Sequence, residues 1–139
     1  MDYKLELVLI PVSDVDRAKK FYLEQAGFDL IVDTPIGEGK RVVQLNPHGS
    51  ACSIGFGTGL TSAAPGSAQG LHLVVSDIVA ARAELLGRGL PVSEPRHLEA
   101  GTWVSGPHPK RSSYESFADF ADPDGNVWVL QEVNRDGSS

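Results

Sequence analysis

Short apolar runs alternate along the chain with segments whose apolar residues recur at helical spacing. Residues 5–12 form a nearly continuous apolar run, which is typical of a strand covered on both faces. Ser13 and Asp14 then offer a helix N-cap, and Gly27 marks the end of that helix before a strand over 28–32. The apolar stripe of the helix consists of Val15, Ala18, Phe21 and Tyr22.

The same order of elements returns in the second half of the chain. A strand over 71–75 is followed by a cap at Ser76 and Asp77 and by a helical stripe. Gly89 ends this helix, and the apolar residues 90–92 predict that a strand resumes there. The chain therefore contains two copies of one arrangement.

Two alignments define the repeat. Residues 12–15 match residues 75–78 at an offset of 63, and the turn 46–50 matches the turn 122–126 at an offset of 76. Both turns combine Pro, which fixes φ, with Gly, which supplies a positive φ. The strands that flank these turns are predicted over 41–45, 51–56, 116–121 and 127–133.

Two tandem strand-helix-strand-strand-strand (βαβββ) modules predict an α+β fold in one domain over residues 1–139. The first module is expected over 1–57, a Gly-, Ser- and Ala-rich linker over 58–70, and the second module over 71–134, with an insertion at 96–111. A lone module would leave one sheet face uncovered. We therefore expect two curved sheets that form a cavity, with the helices outside.

Composition and charge limit the classes of binding partner that can be expected for this protein. The net charge of −6 gives no basic stripe for a phosphate backbone, so nucleic acid is not expected as a partner. No apolar stretch reaches the length of a membrane span, and the N-terminus has no signal-peptide layout. The single cysteine, Cys52, fits a reducing compartment. These features predict a cytoplasmic protein whose partner is a small organic molecule.

The segments 12–22 (VSDVDRAKKFY) and 122–126 (DPDGN), together with the repeat, resemble the vicinal oxygen chelate superfamily. That superfamily includes glyoxalase I, bleomycin-resistance proteins and extradiol dioxygenases. The resemblance covers nearly the whole chain and implies the two-module fold, but its members isomerise, oxidise, add thiols or only bind drugs. It also implies a homodimer, because relatives are often dimers.

Metal-using members of the superfamily take one ligand from each of four strands. The resemblance places these positions at Leu7, Ser53, Gly70 and Val129. A divalent ion needs imidazole nitrogens or carboxylate oxygens, which these side chains do not supply. The sequence therefore predicts no metal site and no cofactor, with these four residues as part of the ligand-binding wall.

The same strand parity predicts which other side chains face the pocket. His72 shares it with Gly70. The resemblance further implies a functional residue three positions before the first Asp of the last turn, so that strand is expected to present Glu115, Phe117 and Asp119, with Val43 as the counterpart of Asp119 in the first module. His72 and Asp119 are the candidate catalytic pair, since a carboxylate can orient an imidazole for proton transfer. The alternative is that His72 only orients a ligand or that Asp119 faces solvent.

The insertion supplies two further candidates. Trp103 is expected to stack on a flat ligand and Arg111 to meet an anion, on a loop that acts as a lid. The alternative makes Trp103 a loop anchor and Arg111 a solvated side chain. His48 and His97 are expected at the surface.

Three functions remain open. The first is a metal-independent isomerase or lyase that moves a proton on a small carbonyl-bearing metabolite. The second is a binding protein that sequesters a drug or metabolite without chemistry, as bleomycin-resistance members do. The third is an enzyme with a displaced metal held by His72, Asp119 and Glu115.

Overall fold

The computed structural model describes residues 1–134, and residues 135–139 lie outside the described part. Within it the elements follow one another in the order strand, helix, three strands, then strand, helix, four strands. Their bounds are β1 Leu7–Leu9, α1 Val15–Lys20 with a π-helical continuation Phe21–Gln25, β2 Asp29–Gly37, β3 Lys40–Asn46, β4 Ser53–Gly57, β5 Leu71–Val75, α2 Ile78–Gly87, β6 Arg96–Glu99, β7 Thr102–Ser105, β8 Phe117–Ala121 and β9 Val127–Glu132.

The strands form two mixed sheets. The first has the order β1-β4-β3-β2 and the second the order β5-β9-β8-β6-β7. In each sheet the strand that precedes the helix pairs in parallel with the last strand, β1 with β4 and β5 with β9. The chain divides into two compact units, residues 1–68 with 122–126 and residues 69–121 with the chain from 127 onward. The prediction of an α+β fold built from two repeated modules is confirmed.

Both predicted helix caps are present. The Asp14 side chain accepts a hydrogen bond from the Arg17 amide, and the Asp77 side chain accepts from the amides of Val79 and Ala80. Each carboxylate satisfies amides that have no partner inside the helix and carries negative charge at the positive end of the helix dipole. No helix among residues 1–134 is long and apolar enough to cross a membrane.

Aromatic residues fill the two cores. In the first unit the ring of Tyr22 is fully buried, with its centroid 5.4 Å from Phe28 and 5.9 Å from Phe56. In the second unit Phe120 stacks on Trp128, 6.0 Å between centroids. Phe56, Phe120 and Trp128 are strand residues, and in the first unit Tyr22 packs on Phe56 from the π-helical segment.

The hydroxyl of Tyr22 reaches a buried carboxylate. Asp122, in the turn 122–126 of the first unit, accepts from this hydroxyl at 2.7 Å and from the Asn126 side chain at 2.8 Å. The same carboxylate accepts from the backbone amides of Asp124 and Asn126. Asp122 is 5% exposed, so four donors compensate for the loss of water around its charge. The Asp-Pro-Asp-Gly-Asn turn at 122–126 therefore has a structural role.

Two predicted strands differ from the structure. No strand forms over 90–92, where Leu90 and Val92 are buried in irregular backbone and Pro91 has no amide hydrogen to donate to a ladder. The first strand is shorter than predicted, and it is not covered on both faces, because Leu7 and Leu9 are 37% and 39% exposed.

The insertion forms regular structure where the sequence predicted a loop. β6 and β7 pair as an antiparallel hairpin around a turn at Ala100 and Gly101, and β6 joins the sheet through Arg96 and Phe117. Ala100 and Gly101 both have positive φ, the conformation that a tight hairpin with this twist requires. Trp103 therefore lies on a strand of the sheet.

Candidate ligand-binding face of the second sheet

The strand register brings most of the predicted site residues of the second module onto one face of its sheet. His72, Val129 and Asp119 lie opposite one another in one row, and Val74, Gln131, Phe117 and Arg96 form the next. Residues directly opposite in neighbouring strands point to the same side of a sheet. We call this side the polar-aromatic face; it consists of His72, Val74, Arg96, Trp103, Phe117, Asp119, Val129 and Gln131.

His72 and Asp119 share this face but have different partners. Nδ1 of His72 lies 3.1 Å from Oε1 of Gln131, whereas Oδ2 of Asp119 lies 3.4 Å from Nη2 of Arg96. Val129 stands between them in the register, so their backbones are two strand spacings apart, about 10 Å. The structure therefore places the candidate pair in one row without a hydrogen bond between its members.

Trp103, Phe117 and Arg96 form one end of the polar-aromatic face, which we call the aromatic corner. Trp103 is 51% exposed, its ring meets Phe117 edge-on at 5.7 Å, and the guanidinium of Arg96 lies 5.0 Å from the ring centroid. The cation and the edge-on ring both hold the indole in place. Trp103 thus has fixed neighbours and still exposes half of its surface.

Arg111 is held away from this face. Its guanidinium bonds both carboxylate oxygens of Glu132, at 2.9 and 2.6 Å, and reaches Asp77 at 2.9 Å. Glu132 is 3% exposed and follows Gln131, so it points to the other side of β9. The predicted anion-binding role is not supported by this geometry, because the positive charge is already paired.

The electrostatics of this network follow from its contacts. Burial alone would raise the pKa of Glu132, but hydrogen bonds from Arg111 and from the Ile78 amide hold that pKa below its ordinary value. The pKa of Asp77 is also lowered, chiefly by the Ala80 amide at the helix start and then by Arg111. Arg111 therefore fastens the segment after β7 to the first turn of α2.

The other predicted residues lie outside the polar-aromatic face. Glu115 precedes β8 and is exposed, and Gly70 precedes β5 with a φ of 73°. Leu7 and Ser53 are register partners in the first sheet. The structure thus groups His72, Phe117, Asp119, Val129 and Trp103 and leaves the remaining predicted residues elsewhere.

Comparisons with known proteins agree with the duplicated fold. Residues 4–130 match the Glyoxalase/Bleomycin resistance protein/Dioxygenase superfamily. The chain belongs to this superfamily.

Solved structures of relatives cover nearly the whole chain. TnmS3, an antibiotic binding protein from Streptomyces sp. CB03234, is 34% identical with a TM-score of 0.73, over 96% of this chain and 98% of that one. A glyoxalase/bleomycin resistance protein from the same organism is 36% identical with a TM-score of 0.70, over 93% of this chain and 100% of that one. YetH of Bacillus subtilis is 25% identical over 127 residues, which is 90% of this chain and 94% of YetH.

The register corrects one metal-ligand position that the superfamily implies. Leu9 pairs with Gly55, and His72 pairs with Val129. Leu9 and His72 are 63 residues apart, the offset of the helix caps, so Gly55 and not Ser53 is the counterpart of Val129. A Cβ added at Gly55 would meet Cδ1 of Leu7 at 2.9 Å, which shows that a leucine side chain occupies this place.

None of the corrected positions offers a donor atom to a divalent ion. Leu7, Gly55, Gly70 and Val129 have no nitrogen or oxygen in their side chains. Within residues 1–134 no group of three or more His, Cys, Asp or Glu side chains is arranged to hold a metal. The residues present therefore do not fit the superfamily's metal, and the geometry does not support a displaced site at His72, Asp119 and Glu115.

Two polar features were missed by the sequence argument. Arg96 and Gln131 are the partners of the candidate pair, but no motif marks them.

In the first sheet Gln44 donates to Ser53, and the Ser53 hydroxyl donates to Asn46. The predicted counterpart of Asp119, Val43, is fully buried on the opposite face. Gln44 is the register partner of Gly55 in the neighbouring strand, so a correct alignment of the two modules would have indicated this group.

His97 contradicts its predicted surface position, whereas His48 is exposed as predicted. His97 is 3% exposed, with Nδ1 2.6 Å from the Gly106 carbonyl oxygen and Nε2 3.2 Å from Oε1 of Glu99. Two acceptors favour an imidazole that carries both hydrogens. The Gly106 carbonyl, and then Glu99, raise the pKa of His97 above its ordinary value.

We expect the contribution of His97 to stability to depend on pH. Because its pKa is higher in the folded state, the contribution is complete below the unfolded pKa and is lost as the pH rises through the folded pKa. His97→Gln should therefore lower the free energy of unfolding more at about pH 5.5 than at about pH 9. Urea unfolding measures this, with His48→Gln as the exposed control. A loss of unfolding free energy in His97→Gln that grows with pH would contradict a raised pKa of His97.

Proposed function

We propose that this protein binds a flat aromatic small molecule on the polar-aromatic face and does not transform it. The observation that carries the proposal is the aromatic corner, where Trp103 keeps half of its surface exposed while Phe117 and Arg96 hold it. A rigid, half-exposed indole provides large contact area at little entropic cost. The sequestering hypothesis is therefore favoured over the enzymatic one.

The arrangement of the candidate pair supports binding without catalysis. A general base must be oriented for proton transfer, usually by a hydrogen bond to a second group. His72 has the neutral amide of Gln131 as its partner, and Asp119 has Arg96. Each side chain is thus positioned as a polar contact for a ligand.

One relative supports a small-molecule ligand. TnmS3 is an antibiotic binding protein, and its structure aligns with 96% of this chain at 34% identity. On this similarity we propose an antibiotic-like aromatic compound as the natural ligand. The net charge of −6 favours approach of a neutral or cationic compound over an anionic one.

Calorimetric titration with flavone, a planar aromatic probe, tests the proposal. Trp103→Ala should weaken flavone binding by about 2 kcal/mol, which is about 30-fold, because it removes the stacking surface. His72→Gln should retain binding, and chromatography should recover the flavone unchanged. Leu86→Ala, at an exposed apolar position on α2, is the matched control.

Two outcomes would contradict the proposal. Equal affinity of the wild type and of Trp103→Ala for flavone would show that the aromatic corner is not the site. Conversion of a carbonyl-bearing metabolite by the wild type but not by His72→Gln would support the isomerase or lyase hypothesis.

A further inference from the structure

The side-chain amide of Gln131 has a defined orientation. Its Nε2 donates to the Tyr114 carbonyl oxygen at 3.4 Å, and the Tyr114 amide in turn donates to the Glu132 carbonyl at 2.8 Å. The segment before β8 is thereby tied to β9 next to Gln131. With its amide nitrogen turned toward Tyr114, Gln131 presents its oxygen to His72.

This orientation determines which nitrogen of His72 carries the hydrogen. Oε1 of Gln131 lies 3.1 Å from Nδ1 of His72, and an amide oxygen can only accept. Nδ1 must then donate, so in the neutral imidazole Nε2 has a lone pair and no hydrogen. Within residues 1–134 no protein group donates to this Nε2.

The other polar side chain in the row of His72 also offers acceptors of hydrogen bonds. Asp119 follows in register beyond the apolar Val129 and carries only acceptor oxygens, and its partner Arg96 is turned toward it. A ligand that lies across Val129 therefore meets acceptors on both sides. A hydroxyl hydrogen on the ligand would satisfy Nε2 of His72, whereas an ether or carbonyl oxygen would face its lone pair.

We propose that the ligand carries a hydroxyl group that donates to Nε2 of His72, and that Gln131 is the positioning residue that fixes this preference. The inference rests on the proposed function, since it names the class of ligand for the same face. Flat hydroxylated aromatics, such as phenols of fused or linked rings, combine stacking on Trp103 with this hydrogen bond.

Matched flavones test the preference. Wild-type protein should bind 4′-hydroxyflavone about fivefold more tightly than 4′-methoxyflavone or unsubstituted flavone, the size of one net hydrogen bond. His72→Phe should bind all three with equal affinity. Gln131→Leu, which leaves the tautomer unfixed, should reduce the ratio of the affinities for 4′-hydroxyflavone and 4′-methoxyflavone, whatever its effect on the affinity for flavone itself. Nitrogen-15 NMR of the imidazole should find the hydrogen of the neutral form on Nδ1 of His72.

The outcomes separate this inference from the proposed function. Equal binding of the three flavones by the wild type, or a hydrogen on Nε2 of neutral His72, would overturn the hydroxyl preference and leave aromatic binding intact. Absence of binding by every flavone would contradict the proposed function itself. An unchanged preference in His72→Phe would assign the hydroxyl contact to another residue and also overturn the inference.

Discussion

Replacing Asp122 by Ala is expected to lower the free energy of unfolding by about 3 kcal/mol. The substitution removes the acceptor of the Tyr22 hydroxyl and one of the two acceptors of the Asn126 side-chain amide, in a place that water hardly reaches. Buried donors without partners then keep the full cost of their desolvation. Urea unfolding, followed by tryptophan fluorescence and by circular dichroism, measures the change.

Another carboxylate of the same turn is the matched control. Asp124 accepts from the amide and hydroxyl of Ser13 at an exposed position, so Asp124→Ala should cost about 1 kcal/mol or less. Tyr22→Phe keeps the ring and removes one donor, so it should lie between the two. Equal losses for Asp122→Ala and Asp124→Ala would show that burial of Asp122 does not matter, and the structural role given to the turn would be wrong.

Arg111→Met should lower the free energy of unfolding by about 3 kcal/mol, because it leaves Glu132 buried without its cation. The double variant Arg111→Met, Glu132→Gln should recover most of this loss, since the neutral amide removes the unpaired charge while its oxygen can still accept from the Ile78 amide. The comparison separates the cost of an unpaired carboxylate from any general effect of changing the segment after β7.

The pH dependence of Arg111→Met gives a second measure. In the wild type the pKa of Glu132 is lowered, so its pair contributes stability above the unfolded pKa and loses it as the pH falls through the folded pKa. In the variant the Arg111 hydrogen bonds are lost and only the Ile78 amide still opposes burial, so the pKa of Glu132 is higher than in the wild type and the neutral acid is favoured. The deficit should therefore be greatest near neutral pH and shrink toward about pH 4. A deficit independent of pH would contradict this account.

Local signals in the sequence identified most elements but not their interactions across strands. Asp14 and Asp77 start the helices as predicted, because a cap depends on residues within one turn. The strand over 71–75 was predicted with its observed bounds. The missed strand pair β6–β7 has mixed composition, and its stability comes from pairing with each other and with β8.

The candidate site was predicted in part. Alternation along β5, β8 and β9 placed His72, Asp119 and Val129 on one face, since a strand fixes the side of each residue. Alternation says nothing about partners, which is why the contacts of Arg96, Gln131 and Glu132 were not recognised. The alignment of the two modules also failed, because the turns that were aligned differ in length. It therefore assigned Ser53 to the position that Gly55 occupies.

By itself the sequence determined the duplicated α+β architecture and the helix starts, because these depend on spacing and on residue type. Only the tertiary structure decided that His72 pairs with Gln131, that Asp119 pairs with Arg96 and that Arg111 pairs with Glu132. Such pairs join residues 20 or more positions apart in the chain, and their geometry follows from strand register and packing, which no local pattern encodes.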